Sequence, residues 1–207
     1  SSRRRHTRYI SVTGVQTCAL PISEAGRVDR TLFAKAGETG LLGISAPASN
    51  GGGDVDDFRY NAIMIEELAT AGATAVSMSL CGINDLIAPY LIAFGSDEQN
   101  DRWLTPLVAG EKIGAIAMTE PGTGSDLASI ATTARPDGDD FVLNGAKTFI
   151  SNGLLADFVI VVARTDADAG RDGFSLLVVE DGMPGFTRSG PLKKIDLGAQ
   201  DTALGAS

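Results

Sequence analysis

A chain of 207 residues, 43% hydrophobic and 21% charged, is long enough for one or two domains with buried cores. Its formal net charge of −9 argues against a binder of nucleic-acid backbones, which needs clustered Lys and Arg to displace counterions, and no such cluster follows residue 30. Two cysteines, Cys18 and Cys81, and one histidine, His6, leave a zinc or disulfide framework without ligands, so no metal is expected. A reducing compartment is favoured, and a cytoplasmic location is expected.

Residues 1–22, SSRRRHTRYISVTGVQTCALPI, carry four arginines and no acidic group. Their charge suits a signal or transit peptide, but Thr13, Gly14 and Gln16 interrupt the short apolar run, and a non-native leader is the expected reading. Without Arg3, Arg4, Arg5 and Arg8 the rest of the chain is more acidic still.

From Ser23 to about Gly110 the apolar spacing is helical, and residues 23–112 are expected to form an all-α domain. Phe58, Ala62, Ile65 and Ala69 recur at helical spacing, with Asp56 and Asp57 placed to cap the start and Glu66 and Glu67 on the solvated side. A Pro and Gly cluster at 47–53 reads as the loop before that helix. Ser96 and Gln99 form a capping box ahead of Trp103, Leu104, Leu107 and Val108, in which Trp103 is a packing anchor. The stretch 69–95 carries a single charge, Asp85. Ser77, Ser79, Asn84 and Pro89 interrupt it, so a buried helix is expected and no membrane span.

After Glu111 the rhythm changes. Short apolar runs at 113–118, 141–143, 148–150, 158–162 and 174–179 alternate with Asp137-Gly138, Asn144-Gly145, Asn152-Gly153, Asp172-Gly173 and Asp181-Gly182. Asn-Gly and Asp-Gly supply the positive φ of tight hairpins, so residues 113–207 are expected to form a compact antiparallel β-barrel or sandwich. The fold class is therefore α+β, helical first and an antiparallel barrel second.

The segment AMTEPGTGSD at 117–126 interrupts this rhythm. Thr119 ends a strand, Pro121 fixes a turn, and Gly122 and Gly124 let the backbone approach an anion or the polar edge of a ring. On its own a glycine turn is usually only a turn, and the parallel βαβ context of a dinucleotide fold is not evident in the sequence.

IAMTEPGTGSD at 116–126, DFVLNGAKTFISNG at 140–153, DFVIVVARTD at 157–166, and the earlier GLLGISAP, EELA and GSDEQNDRWLTPLVAGEKIGA resemble the acyl-CoA dehydrogenase family, over residues 23–203. The resemblance implies a flavoenzyme built from a helical domain, a middle β domain and a C-terminal helical bundle. It implies FAD as cofactor, contacted by Ile116, Ala117, Met118, Thr119, Gly124 and Ser125 in one segment and by Phe149, Ile150 and Ser151 in a second. Ser125 matches a position that also touches acyl-CoA. Relatives often carry Trp-Ile-Thr where this chain has Phe149, Ile150 and Ser151, which keeps a ring for stacking and a hydroxyl. Small residues Gly72, Ala73, Ala75, Ser77 and Ser79 suit either an acyl-tail pocket or close helix packing.

In the family the α-proton is removed by a glutamate of the C-terminal domain, while hydride passes to the flavin. Glu66, Glu67, Glu111 and Glu120 do not match that position, so no catalytic residue is assigned, and Glu120 reads as a turn-stabilising group. The β domain is expected to be incomplete after Ser207, and the chain alone to bind FAD weakly and turn over no acyl-CoA. The resemblance further implies electron-transfer flavoprotein as acceptor and a homo-oligomer, a tetramer, as the complete assembly. An acyl-CoA oxidase or a flavin monooxygenase on the same scaffold, or a non-catalytic truncated module, are the alternatives.

Overall fold

The computed structural model describes residues 28–193 and 202–206; the basic stretch 1–22, with His6 and Cys18, lies outside them. Helix α1 (Arg30–Glu38) starts at Asp29, whose side chain accepts a hydrogen bond from Thr31 N, and it buries Phe33 and Ala36. Helix α2 (Arg59–Thr70) begins beside Asp57, which accepts from Arg59 N at 3.0 Å. Its buried face is Asn61 and Met64 instead of the expected Phe58 row, and Phe58 is 66% exposed. Asn61 is drawn inward because Asn84 donates to it at 3.1 Å, and a buried amide needs such a partner.

Helix α3 (Thr74–Phe94) widens into a π-helical stretch at Gly82–Ile87. It is long and apolar enough to cross a membrane by length and composition, and 56% of that window is buried inside the protein. Helix α4 (97–108) opens with the expected capping box, Ser96 N donating to Gln99 Oε1 at 2.9 Å and Gln99 N to Ser96 Oγ at 3.3 Å. Trp103 anchors this helix to the strands: its ring lies 6.3 Å from that of Phe158, and its Nε1 donates to Glu180 at 2.9 Å.

Eight strands follow among the described residues: β1 (Gly114–Ala117), β2 (Thr133–Asp137), β3 (Asp140–Asn144), β4 (Ala146–Ser151), β5 (Phe158–Arg164), β6 (Phe174–Glu180), β7 (Thr187–Ser189) and β8 (Thr202–Ala206). They form two sheets. One joins β1, β5, β2 and β3, with β6 also on β5; the other has the order β4, β8, β7.

The expected antiparallel barrel is not what forms. β1 pairs parallel with β5, β2 touches β5 in parallel, and neither sheet closes among the described residues. Asp137 and Gly138 do open a hairpin, since Asp137 pairs with Asp140. Asn144 and Gly145 instead carry the chain from one sheet to the other. Gly145 is required by packing: a Cβ there would fall 2.3 Å from Thr132 Oγ1.

Two cores result. Phe158 and Ile160 of β5 face the helices, packing among Phe33, Leu80, Ile83, Leu104 and Leu107. Val159 and Val161 face the other way, with Ala115, Ala117, Ile150 and Val179 between the sheets. Covered on both faces, β5 reads in sequence as an unbroken apolar run. Arg30 pins the helices to the strands through Asp157 Oδ2 at 2.7 Å, an oxygen that also accepts from Ile113 N at 2.7 Å.

Candidate functional site

The two sheets meet at a seam between the end of β1 and β4, where a few bonds replace a regular ladder. Thr148 N donates to the Thr119 carbonyl at 2.8 Å. Lys147 Nζ donates to the Met118 carbonyl at 3.0 Å and to Glu120 Oε1 at 2.9 Å. The segments around Thr119 and Phe149, separate in sequence, are therefore joined directly.

Glu120 organises the loop that follows β1. Its backbone exchanges two hydrogen bonds with Thr123, at 2.9 and 3.1 Å, closing the Pro121-Gly122 turn. Its carboxylate accepts from Ala131 N at 2.7 Å, from Thr132 N at 2.9 Å and from the Thr132 hydroxyl, in addition to Lys147. Burial alone would raise its pKa, but the bonds from Thr132, Ala131 and Lys147 outweigh burial and hold it at about 2. Burial lowers the pKa of Lys147 against the opposing pull of Glu120. A carboxylate so fully occupied is an anchor and a poor proton acceptor.

The sequence-derived candidates divide by where their side chains lie. Ala117 and Ile150 are buried between the sheets, and Ile116 packs against the helical core, so these three offer backbone groups alone. Met118 and Thr119 are half-buried, while Gly124, Ser125, Phe149 and Ser151 are exposed. Gly122 and Gly124 have no neighbour within 4 Å of a notional Cβ, so packing within the protein does not require glycine there.

Phe149 is the most unusual of the group. Its φ is 59°, rare for a bulky residue, and its ring is 67% exposed. It sits where the register between β4 and β8 shifts, between Lys147 and Ile150. The strained backbone leaves an aromatic side chain exposed, one residue after Thr148, without repayment from internal packing, an arrangement that fits a flat partner laid against the ring.

Met118 and Ser125 also line one open cavity of 440 Å³, with Tyr90, Leu127, Arg171 and Phe174. Its size and mixed lining suit a small-molecule ligand. Sequence reading missed Lys147, Thr132 and Asn152 as parts of this region; a lysine within an apolar strand was the available signal.

A family model for the acyl-CoA dehydrogenase middle domain matches residues 115–205, and one for the N-terminal domain matches residues 4–111. The chain is 48% identical over 182 residues to the long-chain specific acyl-CoA dehydrogenase, mitochondrial, of Sus scrofa, covering 87% of this chain and 42% of that relative. It spans less than half the length of that relative. The crystal structure of an acyl-CoA dehydrogenase from Geobacillus kaustophilus superposes with a TM-score of 0.82 at 42% identity, over 96% of this chain and 54% of that one. A glutaryl-CoA dehydrogenase from Mycobacterium smegmatis, solved in complex with FADH2, superposes with a TM-score of 0.82 at 31% identity, over 96% of this chain and 51% of that one. The expected cytoplasmic location does not stand, because the Sus scrofa relative and its Rattus norvegicus and Mus musculus counterparts are mitochondrial by name. With both domain models matched in order along it, this chain belongs to the acyl-CoA dehydrogenase family.

Proposed function

We propose that the protein is an FAD-dependent acyl-CoA dehydrogenase, acting on a fatty acyl-CoA thioester. The observation that carries this reading is the bond between Thr148 N and the Thr119 carbonyl at 2.8 Å, with Phe149 exposed at positive φ next to it. It brings both candidate cofactor segments to one seam. Support for FAD comes from family membership and from the FADH2 bound by the Mycobacterium smegmatis relative.

FAD, when bound, would supply a hydride acceptor for the β-carbon of the thioester. The chain's own contribution is to bind and orient. Thr119 and the backbone of Ile116, Ala117 and Met118 would address the polar edge of the ring system, with Gly124 giving close backbone approach. Phe149 would cover one face, and Ser151 and the backbone at Ile150 would hold the opposite edge. Ser125, on the rim of the 440 Å³ cavity, would contact both cofactor and acyl-CoA. No residue of this chain is assigned as the base.

On the family pattern we assign residues 23–112 to the helical domain and 113–207 to the β domain. Electron-transfer flavoprotein would be the electron acceptor, a homotetramer the assembly, and α3 a core helix and not a membrane span.

Anaerobic titration of the complete, FAD-loaded protein that carries this chain, with saturated acyl-CoA thioesters of graded chain length, tests the proposal. Bleaching of the visible flavin band is expected. Failure to take up FAD, or bound flavin that no acyl-CoA reduces, would refute it.

A further inference from the structure

Asn152 follows the last residue of β4 and is 1% exposed. Its φ of 60° is in the left-handed region, which asparagine tolerates better than most residues. The side-chain Nδ2 donates to the Ser79 carbonyl on α3 at 3.1 Å, while Oδ1 has no hydrogen-bond partner among the described residues. A turn needing only a left-handed residue would be served by glycine, with no amide to bury and no acceptor left unmet. The bond to Ser79 is what the side chain adds.

Both ends of that bond are fixed. Ser79 stands three residues before the π-helical stretch Gly82–Ile87, and its own hydroxyl turns back to the Ala75 carbonyl. Wide helical turns of this kind occur often at functional sites. On the strand side the Asn152 carbonyl accepts from Leu155 N at 3.1 Å and Ala156 N at 2.8 Å, fixing the exit from β4. Phe149 thus lies in the gap where the ladder to β8 shifts register, between the seam at Lys147 and Thr148 and the pairs Ile150–Ala203 and Ser151–Thr202, with Asn152 anchoring the end of the strand to α3.

We propose that Asn152 is a positioning residue that sets where residues 149–151 stand relative to α3, and so the alignment of Phe149 and Ser151. Its consequence for cofactor binding rests on the flavin reading above; its hold on the strand end does not.

Asn152→Gly keeps the left-handed backbone and removes only the side chain. Asn152→Asp keeps the shape but sets an acceptor against the Ser79 carbonyl. Hydrogen exchange read by mass spectrometry, together with FAD titration, follows both in the purified protein. Loss of one hydrogen bond is expected to speed exchange at residues 149–151 about tenfold and weaken FAD binding about tenfold. Asn152→Asp should be affected at least as much as Asn152→Gly, and exchange in α1 should be unchanged.

A space-filling role reverses the order, leaving Asn152→Asp near wild type and Asn152→Gly impaired, and that result overturns the proposal. Wild-type exchange in Asn152→Gly overturns it too, as does failure of Asn152→Gly to fold, which would make the side chain a requirement of the fold. If the wild-type protein takes up no FAD while exchange still responds, the flavin reading fails and the role of Asn152 stands.

Discussion

Lys147 Nζ lies 2.9 Å from Glu120 Oε1 with both side chains only 6% exposed, and this ion pair bridges the two sheets. Two charges withdrawn from water are retained here because each is further bonded, Glu120 to Thr132 and Ala131, Lys147 to the Met118 carbonyl. The pair therefore fixes the distance between the two segments that carry the candidate site.

Lys147→Met leaves Glu120 as a buried charge without its cation and is expected to destabilise the protein by about 3–5 kcal/mol. The double change Glu120→Leu with Lys147→Met removes both charges and should recover most of that loss. Urea midpoints of the two variants against wild type decide it; equal losses would show that packing, not the uncompensated charge, sets the cost.

The low pKa of Glu120 has a signed consequence. A carboxyl held at about 2, against an ordinary 4.5, contributes stability that is fully present above the ordinary value and lost as pH falls from there through about 2. Glu120→Gln should flatten the fall in unfolding free energy between those pH values, as followed by denaturant titration at each pH.

Phe149→Gly relieves a positive φ that only glycine adopts freely and is expected to raise stability by about 1 kcal/mol. It also removes the ring offered to the cofactor, so FAD affinity should drop about tenfold or more. A thermal midpoint that rises while the flavin dissociation constant worsens is the expected signature. A midpoint that falls would mean that the exposed ring stabilises the fold.

Gly145→Ala places a methyl 2.3 Å from Thr132 Oγ1, the group that donates to Glu120. Overpacking of this kind costs about 1–3 kcal/mol. The change should also loosen the 118–132 loop, visible as faster amide exchange at Ala131 and Thr132, whose N–H groups bond Glu120.

Local signals made the capping box at Ser96 and the strands around residues 114, 148, 158 and 174 legible, because apolar runs and caps depend on neighbours in sequence. What the strands pair with does not. Asn144-Gly145 has the chemistry of a hairpin turn yet serves a sheet crossing, since the demand for glycine comes from distant Thr132. Strand β2, TARPD, was missed because its polar composition and Pro136 carry no strand pattern. The α2 face was misread because Asn61 is buried by a hydrogen bond from Asn84, which apolar periodicity does not register. At the candidate site, the strings around Thr119 and Phe149 stood out by resemblance. The pairing of Glu120 with Lys147, 27 residues apart, leaves no local trace.

Strand β5 is a wall common to both halves of the molecule, with Phe158 and Ile160 on one side and Val159 and Val161 on the other. Neither half loses its packing without stripping a face from the other. The helical and β parts, distinct in sequence, are therefore expected to melt in one cooperative transition, and a nick between α4 and β1 is expected to yield no independently stable piece.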